Sequence, residues 1–270
     1  MAKPRNRFLD LLTYAAARAI AAVVIAAPLP VTYALAGLAG EAMFLLDRRH
    51  RRRALEHLRR SFPDWDDARV SSVARASLRA LCYLGLELLL TTRLITPLRW
   101  RRHIVLTDIH EALRLLVERK TGLILVTGHF GNWEVLGFTL ATLGFPNTAI
   151  FRPLDNPYLN DYVTGLRERR GLRILEKKGA ATELDGMLDA KQAVSFIADQ
   201  DAGRKGLFVD FFGRPASTYK SIGLMAMLAY PDTLGFRAVL GITVGGSSVT
   251  LASAVLALIV LLGEIGRAHV

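Results

Sequence analysis

The sequence predicts an α/β domain: a central, mostly parallel sheet flanked by helices, behind a helical, membrane-associating N-terminal segment. Three observations carry this. Residues 122–127 and 194–198 are short apolar runs of buried-strand type, each followed by a polar turn containing glycine. Helix-like stretches lie between them, the alternation typical of a parallel sheet. Residues 19–40 are 22 positions without a charge, close to the roughly 20 that span a bilayer.

Composition bounds the rest. Of 270 residues 51% are hydrophobic and 22% charged, enough for a sizeable core and too apolar for wholesale disorder. The single cysteine, Cys82, excludes a disulfide framework and a multi-cysteine zinc site, and fits a cytosol-facing protein. The net charge of +11 is uneven: residues 1–120 hold 21 Lys/Arg and 11 Asp/Glu, residues 121–270 hold 14 and 13.

Within the uncharged run, Pro28 and Pro30 interrupt the middle and alanine fills much of the remainder. The expectation is a helix inserted in or lying on a membrane and kinked at the prolines. A buried helical hairpin is the alternative. Next comes a basic shelf of Arg48, Arg49, Arg51, Arg52 and Arg53, continued by Arg59 and Arg60, with Glu56 the one acid. Clustered arginines beside an apolar segment contribute on the order of 1 kcal/mol each at an anionic membrane surface. A solvated helix face is the competing reading. A nucleic-acid partner is not expected, because no reader motif or aromatic interleaving accompanies the charge. Residues 68–95 read as a further helix between Pro63 and Pro97, with Leu78, Leu81, Leu84, Leu86, Leu88, Leu89 and Leu90 on its apolar face.

The chemistry-bearing stretch is Gly128-His129-Phe130-Gly131-Asn132-Trp133-Glu134. It follows an expected strand and precedes an apolar, helix-like run, a junction where α/β folds commonly place ligands. A turn at Gly128 or Gly131 would fold Glu134 back on His129, giving a carboxylate-supported general base. A histidine and a glutamate at this spacing are weak alone, and a structural hydrogen-bonding histidine is as good a reading. Zinc lacks a partner ligand set, and a serine hydrolase lacks its G-x-S-x-G elbow. Two further blocks change the balance: Phe151-Arg152-Pro153, a stiff loop presenting one arginine after the apolar residues 149–151, and Asp199-Gln200-Asp201-Ala202-Gly203 after the second strand.

In this order the three blocks resemble the lipid A biosynthesis (lauroyl/myristoyl) acyltransferase family of the lysophospholipid acyltransferase superfamily, over roughly residues 5–230. His129 and Glu134 match the superfamily's histidine–x4–acid signature. Arg152 and Pro153 match the family's arginine-proline block, and Asp199, Gln200, Asp201 and Gly203 the family's D-Q-D…G block. The resemblance implies fatty acyl transfer from an acyl carrier protein or coenzyme A thioester to a glycolipid hydroxyl, as on a lipid A precursor. It places the reaction at the cytoplasmic face of the inner membrane, with no cofactor and no metal. It makes His129 the base and Glu134 its orienting acid, with Arg152 at a substrate phosphate or the oxyanion. Asn132, Asp199, Gln200 and Gly203 are further candidates for substrate binding. Two rival readings stay open: a glycosyltransferase holding a metal on Asp199-Gln200-Asp201, and a non-catalytic membrane-binding protein. Helix capping, or pairing with Arg204 and Lys205, is the structural alternative for Asp199 and Asp201.

The expected organisation is a membrane-associated helix over residues 1–47, an acyltransferase domain over 48–230, and a divergent tail over 231–270. In that tail, residues 238–263 are uncharged around a glycine-serine centre, a poor membrane-helix candidate. The last six residues match one reading frame of a common sequencing-adapter DNA, so a truncated or frame-shifted end is expected and His269 is given no role.

Overall fold

The computed structural model describes residues 6–107, 110–120, 122–176, 180–219, 237–245 and 254–260. The uncharged N-terminal run forms two helices, not one kinked helix: α1 (Arg7–Ala26) and α2 (Leu29–Leu46). Asn6 starts α1 by accepting from the amides of Phe8 and Leu9. Pro28 then takes an extended conformation as the cap of α2, and Pro30 falls in that helix's first turn, where a missing N–H costs nothing. Both helices are long and apolar enough to cross a membrane by length and composition. α3 (Arg48–Ser61) carries the basic shelf and buries no residue.

The long helix α4 (Asp67–Leu94) is the keel of the molecule. Its buried stripe is Val70, Ala74, Leu78, Leu86, Leu90 and Leu94, whereas Leu81, expected on that face, is 50% exposed. α2 packs along α4 at close range: a Cβ on Gly40 would lie 2.5 Å from Arg79 Cα. Glu41 of α2 pairs there with Arg75 and Arg79.

The sheet holds β1 (Val105–Thr107), β2 (Leu123–Thr127), β3 (Asn147–Phe151), β4 (Leu172–Glu176) and β5 (Ala193–Ile197). A hairpin of β6 (Leu207–Asp210) and β7 (Pro215–Thr218) stands apart from it. β8 (Arg237–Gly245) and β9 (Ala254–Val260) complete the sheet in the order β1-β8-β9-β2-β5-β3-β4. The four strands β2-β5-β3-β4 run parallel, and the remaining pairs are antiparallel. Where described, the uncharged stretch at 238–263 is therefore strand, not membrane helix; residues 231–236, 246–253 and 261–270 of the expected tail lie outside the described residues.

Helices α5 (His110–Glu118), α6 (Trp133–Thr142), α7 (Pro157–Glu168) and α8 (Ala180–Asp189) connect the strands. Alternation along β2 builds two cores. Leu123 and Leu125 pack with α4, α5 and α6 on one face, and Ile124 packs with Val194, Phe196 and α8 on the other.

Candidate active site

The site forms where β2 and β5 end. These strands are parallel neighbours with Thr127 opposite Ile197, and the Ala198 amide extends the ladder to the Thr127 carbonyl at 2.8 Å. The next residues therefore emerge side by side. Asp199 accepts the His129 backbone amide on Oδ2 at 2.6 Å, and its Oδ1 lies 2.7 Å from His129 Nδ1. Gly128 permits this approach, since a Cβ there would sit 2.9 Å from Asp199 Oδ2. Trp133 meets the imidazole edge-on, with centroids 4.5 Å apart. The pair stays open to water, with the side chains 36% and 45% exposed.

Glu134 does not fold back on His129. It lies in the first turn of α6 and pairs with Arg167 of α7: Arg167 Nε donates to Oε2 at 2.8 Å and an Nη to Oε1. Both side chains are largely buried, 9% exposed for Glu134 and 19% for Arg167. The carboxylate at the imidazole is thus Asp199, placed in the sequence reading only among substrate contacts. Arg167 was not legible as a site residue, because no local pattern distinguishes it within α7.

Asn132 is also elsewhere than expected. It is fully buried, and its Oδ1 caps α6 by accepting from the amides of Glu134 and Val135. Its Nδ2 donates to Glu87 Oε2 at 2.6 Å, and Glu87 Oε1 accepts from the Tyr33 hydroxyl at 3.1 Å. Glu87 is fully buried on α4. One signal pointed to it: a lone acid inside the leucine-rich run 84–90, which demands a partner.

The other expected residues divide. Arg152, just past β3, is exposed, lines the cavity beside His129, and makes no ion pair among the described residues. Gln200 also lines that cavity. Asp201 accepts from the Gly203 amide at 2.9 Å, and Gly203 has φ +69°, so this pair shapes a turn. Of the basic shelf, Arg48, Arg49, Arg52 and Arg53 are exposed. Arg51 instead caps the end of α2 on the carbonyls of Phe44 and Leu45.

Beneath His129 lies a cavity of about 600 Å³. Leu136, Leu140, Leu172, Ile174 and Phe196 contribute its apolar wall, and His129, Glu134, Arg152, Arg167 and Gln200 line it as well. A positioned imidazole, two guanidinium groups and an apolar chamber suit a long apolar substrate carrying a polar reacting group.

Fold and site together define an α/β protein with a histidine–carboxylate pair at the carboxyl ends of adjacent parallel strands. A family model for the bacterial lipid A biosynthesis acyltransferases matches residues 2–234, and the chain belongs to that family. Two Haemophilus influenzae proteins, each named Lipid A biosynthesis acyltransferase, are similar to it. One is 36% identical over 110 residues and the other 27% identical over 108. These alignments cover 39% and 40% of this chain and 34% of each relative, so the chain spans about a third of the length of the curated relatives it matches.

Proposed function

We propose that this protein transfers a fatty acyl chain from a thioester carrier, acyl carrier protein or coenzyme A, to a hydroxyl of a lipid A precursor or related glycolipid. The observation that carries this reading is the His129–Asp199 pair at a largely apolar cavity. Asp199 engages Nδ1, which leaves Nε2 to accept the acceptor's hydroxyl proton. As that O–H bond breaks, the oxygen attacks the thioester carbonyl. The tetrahedral intermediate then collapses with loss of the thiolate, which takes the proton back from the imidazole. A thioester is already activated, so base and clamp suffice without a covalent enzyme intermediate.

Arg152, exposed at the cavity and in no ion pair among the described residues, is placed to meet a substrate phosphate or the oxyanion, and the apolar wall suits the acyl chain. Glu134 acts one step back by holding Arg167 at the cavity wall. The family and the names of its relatives support the same reaction class. Placement at the cytoplasmic face of the inner membrane is part of the proposal, supported by the two apolar helices and the exposed arginines of α3. The glycosyltransferase reading is weaker, because Asp199 has both oxygens on His129 and Asp201 is turned onto its own loop.

The deciding assay is acyl transfer from acyl carrier protein to a lipid A precursor by the full chain, with and without EDTA. Transfer that survives EDTA supports the reading. Metal-dependent turnover of a nucleotide sugar with no acyl transfer would overturn it.

A further inference from the structure

The two N-terminal helices are each long enough to cross a bilayer, yet their packing argues against crossing. In α1 the half-buried and buried residues are Asp10, Tyr14, Ala17, Ala21, Val24 and Ile25, and every other residue is exposed. That spacing is one narrow stripe along the whole helix. It faces the catalytic domain from end to end. Near the start, Asn156 Nδ2, at the cap of α7, donates to the Asp10 carbonyl at 2.9 Å. One turn on, Tyr14 meets Tyr158 and Tyr162, and the Arg18 guanidinium lies 4.6 Å from the Tyr162 ring centroid. At the far end, Arg93 of α4 donates to the carbonyls of Ile25 and Ala27 at 2.6 and 3.2 Å. A spanning helix has its ends on opposite faces of a hydrocarbon layer about 30 Å thick. Here both ends are held by polar side chains of one domain, including arginine and the polar helix α7.

The opposite face of α1 presents Phe8, Leu9, Leu12, Ile20 and Val23, between 55% and 75% exposed. α2 repeats the pattern: its inner face is fixed to α4 through Gly40 and Glu41, and Val31, Leu35, Leu38 and Leu45 point outward. The exposed arginines of α3 follow directly. Resting on the membrane contact proposed above, we infer that α1 and α2 lie flat in one leaflet as an apolar sole beneath the catalytic domain. Neither helix crosses, and the partner is a bilayer surface with anionic headgroups, which the adjoining arginines complement.

The test uses the full chain with Cys82→Ser and single nitroxide labels at Leu12→Cys, Ile20→Cys and Val23→Cys, bound to phosphatidylglycerol/phosphatidylcholine vesicles. A flat α1 puts all three labels at one shallow depth, about 5–10 Å below the headgroups. All three would then be reducible by an impermeant reagent on the side of addition. A crossing α1 separates Leu12 from Val23 by about 16 Å along the bilayer normal, which would overturn the inference. So would labels already immobilised by a second copy of the chain without vesicles. Failure to bind vesicles at all would instead remove the membrane contact itself. As a second measurement, Tyr14→Cys and Tyr158→Cys are joined by a short bis-maleimide. Vesicle binding within twofold of the unlinked protein is expected; its loss would mean that α1 must leave the domain to reach lipid.

Discussion

The candidate site holds two side-chain pairs whose first members are five residues apart, and the fold treats them oppositely. His129–Asp199 joins two loops at strand ends and stays open to water, whereas Glu134–Arg167 joins two helices and is closed off. An exposed pair contributes about 0–1 kcal/mol to stability. Removing one partner of a buried pair strands a charge and costs about 3–5 kcal/mol. In the reaction proposed above, the difference would separate two tasks. A base must exchange protons with substrate and solvent, so it gains from an open position. A fixed field at a cavity wall gains from exclusion of water.

The largest expected effect tests the open pair. His129→Ala should lower turnover roughly 10²–10⁴-fold while the melting temperature stays close to that of the parent. Near-normal turnover would remove His129 from the mechanism. For the closed pair, Glu134→Ala should cost about 3–5 kcal/mol in chemical denaturation, and adding Arg167→Met should recover part of it. If Asp199→Ala were equally destabilising, the contrast between the pairs would collapse. Asp199→Asn is a finer probe. One carbonyl oxygen would then face two donors, the His129 amide and Nδ1–H, so turnover should fall about 10–100-fold with little change in stability. The smallest effect concerns the cations. Arg152→Lys loses the planar fork and should raise the acceptor KM several-fold, leaving the donor KM nearly unchanged. Should kcat fall instead with both KM values unaltered, Arg152 serves the oxyanion.

Much of the fold was legible because its strands announce themselves locally. Residues 122–127 and 194–198 are apolar runs too short for helices, and both became parallel strands. The prolines correctly marked a break, but its depth, two helices with a cap between them, depends on α4 lying beneath. The site was half legible. His129 was readable from its strand-to-helix junction. Its partner was not, because the pairing of β2 with β5 brings together residues 70 positions apart, and no local spacing encodes which strands are neighbours. Glu134 shows the converse error. Sequence proximity suggested contact with His129, but Asn132 starts α6 just before it, and the first helical turn directs its carboxylate to α7.

The amide of Asn132 has a wider consequence. Its oxygen holds the start of α6, its nitrogen holds Glu87 of α4, and Glu87 in turn holds Tyr33 of α2. Three helices are thus riveted at one buried point, three residues along the chain from His129. Helix α2, already fixed to α4 through Gly40 and Glu41, is thereby also tied to the start of α6, whose residues line the cavity. The registry between the outer helix α2 and the His129 loop is accordingly built into the fold itself.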